Sequence, residues 1–298
     1  MDEMGGRRGI PAESKRKGIA CLIFSAFSFA LMGMFVHLAD LYGGEINVVQ
    51  KSFFRNIIAF LIAGSFFFRH KGPVRFPVKG IPLLFARAIF GTLGIFGNFY
   101  ALGHIPIGNA AMLNKLSPFF AIVFSWILVG EKMTPKQTLA VVGAFIGSLF
   151  VVKPTPAITD ILPELAGLGS GISAGVAYAC VRKLGIMKMD PRIIILFFSG
   201  FSSLIAVPFM VASFDPMTAT QVLILFGAGA AAAGGQFGIT AAYRLAPPKE
   251  IAVYDYTNIL FAALLGFFIF DQKADLYSWI GFAIILAMAL LMYGRTKK

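Results

Sequence analysis

LSPFFAIVFSWILVGEK, at residues 116–132, is an apolar run of helical length that ends in a glycine and an acidic residue. A second run of the same kind, TNILFAALLGFFIFDQ, occupies residues 257–272, and its acidic residue Asp271 lies 140 positions after Glu131. Each run is followed by a short turn and one more apolar segment. A pattern that returns in this way predicts a chain built from two related halves.

The composition indicates that the chain is embedded in a lipid bilayer. Of its 298 residues, 58% are hydrophobic and 13% are charged, which is too little polar surface for a soluble fold of this length. A bilayer core requires roughly 20 apolar residues per helix. Ten segments meet this requirement, near residues 18–38, 47–68, 81–102, 109–130, 134–152, 165–182, 193–213, 222–245, 251–270 and 275–293. We therefore predict an all-α integral membrane protein with ten transmembrane helices.

The cations between the predicted spans indicate the topology. If the N-terminus is cytoplasmic, 20 of the 26 Lys and Arg residues fall in cytoplasmic segments, and only Lys153 and Lys273 fall in outer segments. Cytoplasmic loops carry an excess of Lys and Arg, so both termini are predicted to be cytoplasmic. The net charge of +12 does not indicate a nucleic-acid partner, because the cations form short clusters between spans and no single basic face.

Each half holds five spans, so the second half enters the membrane from the opposite side. This predicts two inverted five-helix repeats. The predicted segments are a cytoplasmic N-terminal tail at 1–17, a first repeat at 18–152, a linker at 153–164, a second repeat at 165–293 and a cytoplasmic tail at 294–298.

The two halves resemble the EamA repeats of the drug/metabolite transporter superfamily. The first half shows Pro118-Phe119-Phe120 through Trp126 to Gly130-Glu131, and the second shows AALLG at 262–266 through Asp271. The second half departs from the pattern, with Asn258 about where the first half has Pro118 and no glycine before Asp271. Members that resemble this chain export or import amino acids, metabolites, drugs or nucleotide sugars. The resemblance implies a small-molecule substrate and a bacterial inner membrane, and it leaves a homodimer open.

Charged residues inside the spans are the first candidates for a functional site, because a charge at the bilayer centre costs roughly 2.5–3.5 kcal/mol. Lys115 in the fourth span and Asp255 in the ninth lie at near-equivalent positions of the repeat, and Asn114 aligns most closely with Asp255. Inverted halves would bring them to opposite walls of one cavity. There Lys115 could bind a substrate anion, and Asp255 a substrate amine or a coupling proton. The alternative is a buried ion pair that only fixes helix packing.

Two arginines are further candidates. Arg87 and Asn98 lie eleven residues apart on one face of the third span, with Gly91 and Gly94 between them, and this face could offer donors and space to a carboxylate or phosphate. Arg87 could instead extend to the membrane surface. Arg55 in the second span is too deep for that. It could contact substrate or a gate, or it could be neutralised by a neighbouring helix carbonyl or by a lipid phosphate.

Polar side chains without charge complete the predicted substrate site: Gln236 in the eighth span, and Tyr254 and Asn258 on one face of the ninth. Their alternative role is hydrogen bonding between helices. Glu131 is expected to be structural, as a cap or as a partner of Lys132. The spacing of Gly167, Gly171 and Gly175 predicts close helix packing.

These features predict a secondary active transporter that moves a small polar metabolite by alternating access. An amino acid or another solute with a carboxylate or phosphate is favoured, because buried cations outnumber buried acids. One alternative is a multidrug or cationic-metabolite exporter of the same fold. Another is an intramembrane enzyme or sensor, but the three histidines lie at span ends or in loops without metal-ligand spacing. No cofactor is expected.

Overall fold

The computed structural model describes residues 11–105, 107–152, 161–271 and 274–293. Within these ranges the regular secondary structure is helical, and ten stretches are long and apolar enough to cross a membrane. This confirms the all-α class and the number of spans. The predicted outer cations Lys153 and Lys273, the 294–298 tail, and residues 1–10 and 153–160 of the predicted tail and linker lie outside the described ranges.

Twelve α-helices form these spans, with two short 3-10 helices at Val78–Gly80 and Ala252–Tyr256. The α-helices are α1 (Ala12–Leu41), α2 (Val48–Arg69), α3 (Ile81–His104), α4 (Ile107–Asn114), α5 (Ser117–Val129), α6 (Pro135–Val152), α7 (Ile161–Ile186), α8 (Pro191–Ala212), α9 (Ala219–Leu245), α10 (Pro248–Ile251), α11 (Thr257–Phe270) and α12 (Leu276–Tyr293).

Two helices start earlier than the hydropathy pattern predicts. Helix α1 begins at Ala12, inside the predicted tail, and α7 begins at Ile161, inside the predicted linker. Hydropathy marks where the bilayer ends, whereas a helix continues until its backbone is capped or broken. Pro163 is compatible with the first turn of α7, because the first N–H groups of a helix have no helical acceptor.

The fourth and ninth spans, which were predicted as single helices, are broken. The fourth is divided between α4 and α5, and Pro118 lies in the first turn of α5. Proline has no N–H, and its ring clashes with the carbonyl of the residue four positions earlier, here Asn114, which accounts for the break after Asn114. The ninth passes from α10 through a 3-10 segment into α11 without a proline there. Its Thr257 hydroxyl donates to the Tyr254 carbonyl at 2.6 Å, a local bond that competes with regular helix.

The ends of α5 and α11 define how the two halves correspond. Helix α5 ends at Gly130 with φ 83°, and α11 ends at Asp271 with φ 51°. Both residues have the left-handed conformation of a helix C-terminus, which glycine adopts readily and aspartate only at some cost. Asp271 therefore corresponds to Gly130 and not to Glu131. The same offset pairs Asn114 with Asp255, and it pairs Lys115 with Tyr256.

The most extensive contacts join helices from different halves. Helix α1 packs on α9, α3 on α7, α2 on α8, α6 on α12, and α5 on α7. Glycines make the approaches close: a Cβ added at Gly171 would lie 2.5 Å from the Leu113 carbonyl oxygen, and one at Gly175 would lie 2.3 Å from Phe120 Cβ. The glycine spacing on α7 therefore does mark a packing face.

Candidate functional site

The two breaks bring Lys115 and Asp255 together. Lys115 directly follows α4, and Asp255 lies in the 3-10 segment of the ninth span. Lys115 Nζ lies 3.8 Å from Asp255 Oδ2, and 16% and 12% of the two side chains are exposed. Opposite charges this close compensate each other in a region where an isolated charge would be costly. The residues that the sequence predicted on opposite walls of a cavity are in direct contact.

Tyr256 supports the break beside this pair. The Phe119 N–H bonds to the Leu116 carbonyl, so the Lys115 carbonyl has lost its usual helical donor. The Tyr256 hydroxyl donates to that carbonyl at 2.9 Å. A residue of the ninth span thereby holds the backbone of the fourth, at the position that corresponds to Lys115 in the repeat.

Arg87 is buried among α3, α8 and α9. Only 3% of the residue is exposed, so it does not extend to the membrane surface. Its guanidinium lies 3.8 Å from the centre of the Phe198 ring, and Nη2 donates to Gln236 Oε1 at 3.1 Å. The Nε atom is buried and has no partner in the described part of the chain.

Arg55 on α2 has a similar setting. Its guanidinium lies 5.8 Å from the centre of the Phe29 ring, and its buried Nε also lacks a partner among the described residues. Neither Arg55 nor Arg87 forms an ion pair with a carboxylate in the residues that the structure describes.

Tyr178 on α7 and Tyr243 on α9 lie side by side, with their rings tilted by 34° and their centroids 5.2 Å apart. Tyr243 follows Gln236, the partner of Arg87, by two turns of α9, and Gly235, which packs against Phe29 beside Arg55, directly precedes Gln236. The two arginines of the second and third spans thus adjoin on α9.

The three predicted asparagines have different surroundings. Asn114 Nδ2 donates to the Ser170 hydroxyl of α7 at 3.3 Å, which places it next to the Lys115 break. Asn258 Nδ2 donates to the Ala26 carbonyl of α1 at 2.9 Å, a bond between helices. Asn98 is half-buried. The structure shows no contact that joins Asn98 to Arg87.

The predicted open wall on α3 is filled. A Cβ at Gly94 would lie 3.3 Å from the Ser170 carbonyl oxygen, so this position packs against the α7 backbone. A Cβ at Gly91 would lie 2.1 Å from Arg87 Nη1 and 2.6 Å from the Phe198 ring. The prediction that both glycines leave space for a ligand was wrong: Gly94 accommodates a helix, and Gly91 accommodates the stacked guanidinium.

Tyr254, a predicted site residue, is buried in the 3-10 segment, and its hydroxyl has no partner among the described residues. The Tyr243 hydroxyl is also buried and has no hydrogen-bond partner in the described part of the chain. Sequence reasoning did not identify Phe29, Phe198, Tyr178 or Tyr256 as site residues. Aromatic residues are 14% of this chain, so no signal in the sequence distinguished these four.

Glu131 joins the halves near the end of the bundle at which α1 begins, which we call the proximal end. Arg182 Nη2 lies 2.7 Å from Glu131 Oε1, and Arg182 Nη1 donates to the Arg244 carbonyl at 3.2 Å. The expected pairing of Glu131 with Lys132 was wrong, because Lys132 is exposed while Arg182 reaches Glu131 from α7. A second inter-half pair joins the same end.

That second pair is Lys15 Nζ and Glu250 Oε2, 3.3 Å apart. At the opposite, distal end, Lys51 Nζ pairs with Asp40 Oδ2 at 2.7 Å, and Gln50 exchanges two hydrogen bonds with the backbone of Asp215. Polar contacts therefore lie at both ends of the bundle.

The Glu131–Arg182 contact gives a stability prediction. Glu131→Gln leaves Arg182, whose side chain is 9% exposed, without its carboxylate. Removing one partner of a buried pair costs about 3–5 kcal/mol, so we expect a clear fall in the thermal unfolding temperature of the purified protein.

The matched control is Glu13→Gln, because Glu13 and Lys17 form an ion pair with side chains 78% and 64% exposed. Exposed pairs contribute little, so this variant should unfold like the wild type. Equal unfolding temperatures for Glu131→Gln and Glu13→Gln would contradict a structural role for the Glu131 pair.

The fold and the site define a class: a ten-span integral membrane protein with compensated charges between two broken helices. The sequence profile of the EamA-like transporter family matches residues 16–153 and again 161–294. The chain belongs to this family of membrane transporters, and neither the family nor its relatives point to an enzyme.

Relatives cover nearly the whole chain. The pseudopaline exporter CntI of Pseudomonas aeruginosa is 27% identical over 95% of this chain and 98% of its own length. Solute carrier family 35 member G1 of Mus musculus is 24% identical over 90% of this chain and 77% of its own. One crystal structure shares the fold, with a TM-score of 0.78 at 15% identity over 96% of this chain and 99% of that one. Bacterial relatives and ten spans support a multi-pass protein of the bacterial inner membrane.

Proposed function

We propose that this protein is a secondary active transporter that moves a small polar metabolite across the membrane by alternating access. The observation that carries this proposal is the Lys115–Asp255 pair at the breaks of the fourth and ninth spans. Broken helices in corresponding positions of two halves are characteristic of substrate and coupling-ion sites in transporters.

Helix packing supports two inverted repeats. If the five spans of each half are exchanged, the contact of α1 with α9 becomes that of α7 with α3, and both contacts are present. The packing of α5 on α7 has its counterpart in α11 on α1, while α2–α8 and α6–α12 exchange within themselves. With five spans per half, the second repeat has the opposite orientation, and both termini share one side of the membrane.

The buried charges favour an anionic substrate group. In the described part of the site, three positive charges, on Arg55, Arg87 and Lys115, stand against one negative charge, on Asp255. A carboxylate or phosphate fits this balance better than a cationic drug, so we favour an amino acid or other organic acid over a cationic-metabolite exporter. Asp255 is the group that could bind a substrate amine or a coupling proton. The likeness to an exporter favours outward transport.

The direct test is transport in proteoliposomes with a panel of labelled amino acids, organic acids and phosphorylated metabolites. We expect at least one anionic solute to cross faster than in protein-free liposomes, and the rate to change when a pH gradient is imposed. A set of cationic drugs serves as the comparison. If only the cationic drugs cross, the proposed substrate class is contradicted. If no solute of the panel crosses, transport of these anionic solutes is contradicted.

A further inference from the structure

Arg87, which is buried, and Arg55, which is half-buried with a buried Nε, share a construction that the ion pair does not have. Arg87 lies over the face of Phe198, and Gly91 leaves the room that this stacking needs, since a Cβ there would collide with both side chains. Gln236 fixes one further nitrogen of the same guanidinium. The planar guanidinium is thus held in one orientation, and its Nε has no hydrogen-bond partner among the described residues.

Arg55 repeats this construction with other helices. It lies near the face of Phe29, and a Cβ at Gly235 would lie 2.6 Å from that ring, so Gly235 provides the space in which Phe29 sits. The Nε of Arg55 is also buried and has no hydrogen-bond partner in the part of the chain that the structure describes. Gly235 directly precedes Gln236, the partner of Arg87, so the two arginine sites adjoin on α9.

The charge of this region is uncompensated. Lys115 and Asp255 balance each other, so Arg55 and Arg87 leave two positive charges in the described interior. An aromatic face attracts a cation but carries no charge that could neutralise it. Buried cations in membrane spans usually have a counter-charge or a ligand.

Buried hydroxyls near Arg87 also lack partners. Thr240 lies one turn after Gln236 on the same face of α9, and its Oγ1 is buried and unpaired within the described ranges. The unpaired Tyr243 hydroxyl follows on this helix. Buried polar groups nearly always have partners, so several unpaired groups on the helix that holds Arg87 indicate a place for a polar ligand.

We infer that Arg55 and Arg87 together bind a group with two negative charges on the transported solute, while the Lys115–Asp255 pair contacts the remainder. The group is a phosphate monoester or two neighbouring carboxylates, because both offer oxygens that match guanidinium N–H donors. This inference rests on the proposed transport function and narrows its substrate class from anions in general to dianions.

The test is ligand-dependent thermal unfolding of the purified protein in lipid nanodiscs. The probes are methyl phosphate, succinate and acetate, at pH 7.5 and equal ionic strength. We expect methyl phosphate or succinate to raise the unfolding temperature in a saturable way and acetate to have no such effect. Methyl phosphate and succinate distinguish a phosphate ligand from a dicarboxylate ligand.

Variants assign the effect to the arginines. Each of Arg55→Gln and Arg87→Gln should weaken the apparent affinity for the dianion by roughly tenfold or more, since each loses charge-assisted hydrogen bonds. Arg192→Gln, which changes an arginine paired with Asp190 at the start of α8, should bind the dianion like the wild type.

Should the glutamine variants fail to fold, Gly91→Ala keeps both charges but displaces Arg87 from Phe198. It should also bind the dianion more weakly, whereas Gly33→Ala, which adds a Cβ in open space, should not. Equal stabilisation by acetate and dianions, or unchanged dianion affinity in the arginine variants and Gly91→Ala, would overturn the inference. A protein that binds dianions but transports no solute would instead contradict the proposed transport.

Discussion

Asp255→Asn is expected to reduce transport by about a hundredfold or more and to remove its response to a pH gradient. The substitution leaves the Lys115 ammonium without its counter-charge at the breaks of the two spans, where the solute is proposed to bind, and a rise of about 2.7 kcal/mol in the barrier to transport corresponds to about a hundredfold. Asparagine also cannot take up a proton. The measurement is solute flux in proteoliposomes with and without an imposed pH gradient.

Asp40→Asn is the matched control. It strands Lys51 in the same way, but this pair lies at the distal end, away from the broken spans. We expect both variants to unfold at lower temperature and only Asp255→Asn to lose transport. Wild-type flux in Asp255→Asn would show that Lys115 and Asp255 form a packing contact and no transport site.

Gly175→Ala should cause a large loss of stability. The new Cβ would lie 2.3 Å from Phe120 Cβ and 2.7 Å from the Ala121 backbone nitrogen. Main chain cannot rotate away as a long side chain can, so α5 must move from α7. Overpacking of this kind typically costs about 1–3 kcal/mol, and displacement of α5 disturbs the adjoining Lys115 break as well.

The control lies on the same helix. Gly169 has nothing within 4 Å of an added Cβ, so Gly169→Ala should leave the unfolding temperature and the solute flux unchanged. Thermal unfolding and proteoliposome flux should be measured for both variants in one lipid. If the two alanine variants behave alike, the close contact between α7 and α5 does not support the fold.

The sequence was sufficient for the number of spans and for singling out Lys115 and Asp255 as charged residues within spans, for two physical reasons. Span length is fixed by bilayer thickness, and a charge within a span is so costly that Lys115 and Asp255 stood out against their apolar neighbours. The break before α5 could have been read from Pro118. The break in the ninth span has no proline, and it depends on a hydroxyl bond by Thr257 that many helical threonines also make.

Partners distant in sequence were beyond prediction. Spacing within one helix says which residues share a face, but not which helix lies opposite, so Gly94 was taken for open space although α7 fills it. For the same reason Glu131 was assigned to its neighbour Lys132 and not to Arg182, which is 51 positions away. Nothing in the sequence distinguished Phe198 and Phe29 from the other phenylalanines, of which the chain has 32 in all.

The broken spans also determine which way two nearly uniformly apolar helices can face. Most side chains of α5 and α11 are apolar and could contact lipid acyl chains. These side chains alone therefore hardly determine how either helix is rotated about its own axis. Peptide groups freed from helical pairing cannot be turned toward hydrocarbon, since nothing there can satisfy them. The main chain therefore determines how the fourth and ninth spans are rotated about their axes. Substitutions among their apolar surface side chains should leave this rotation unchanged.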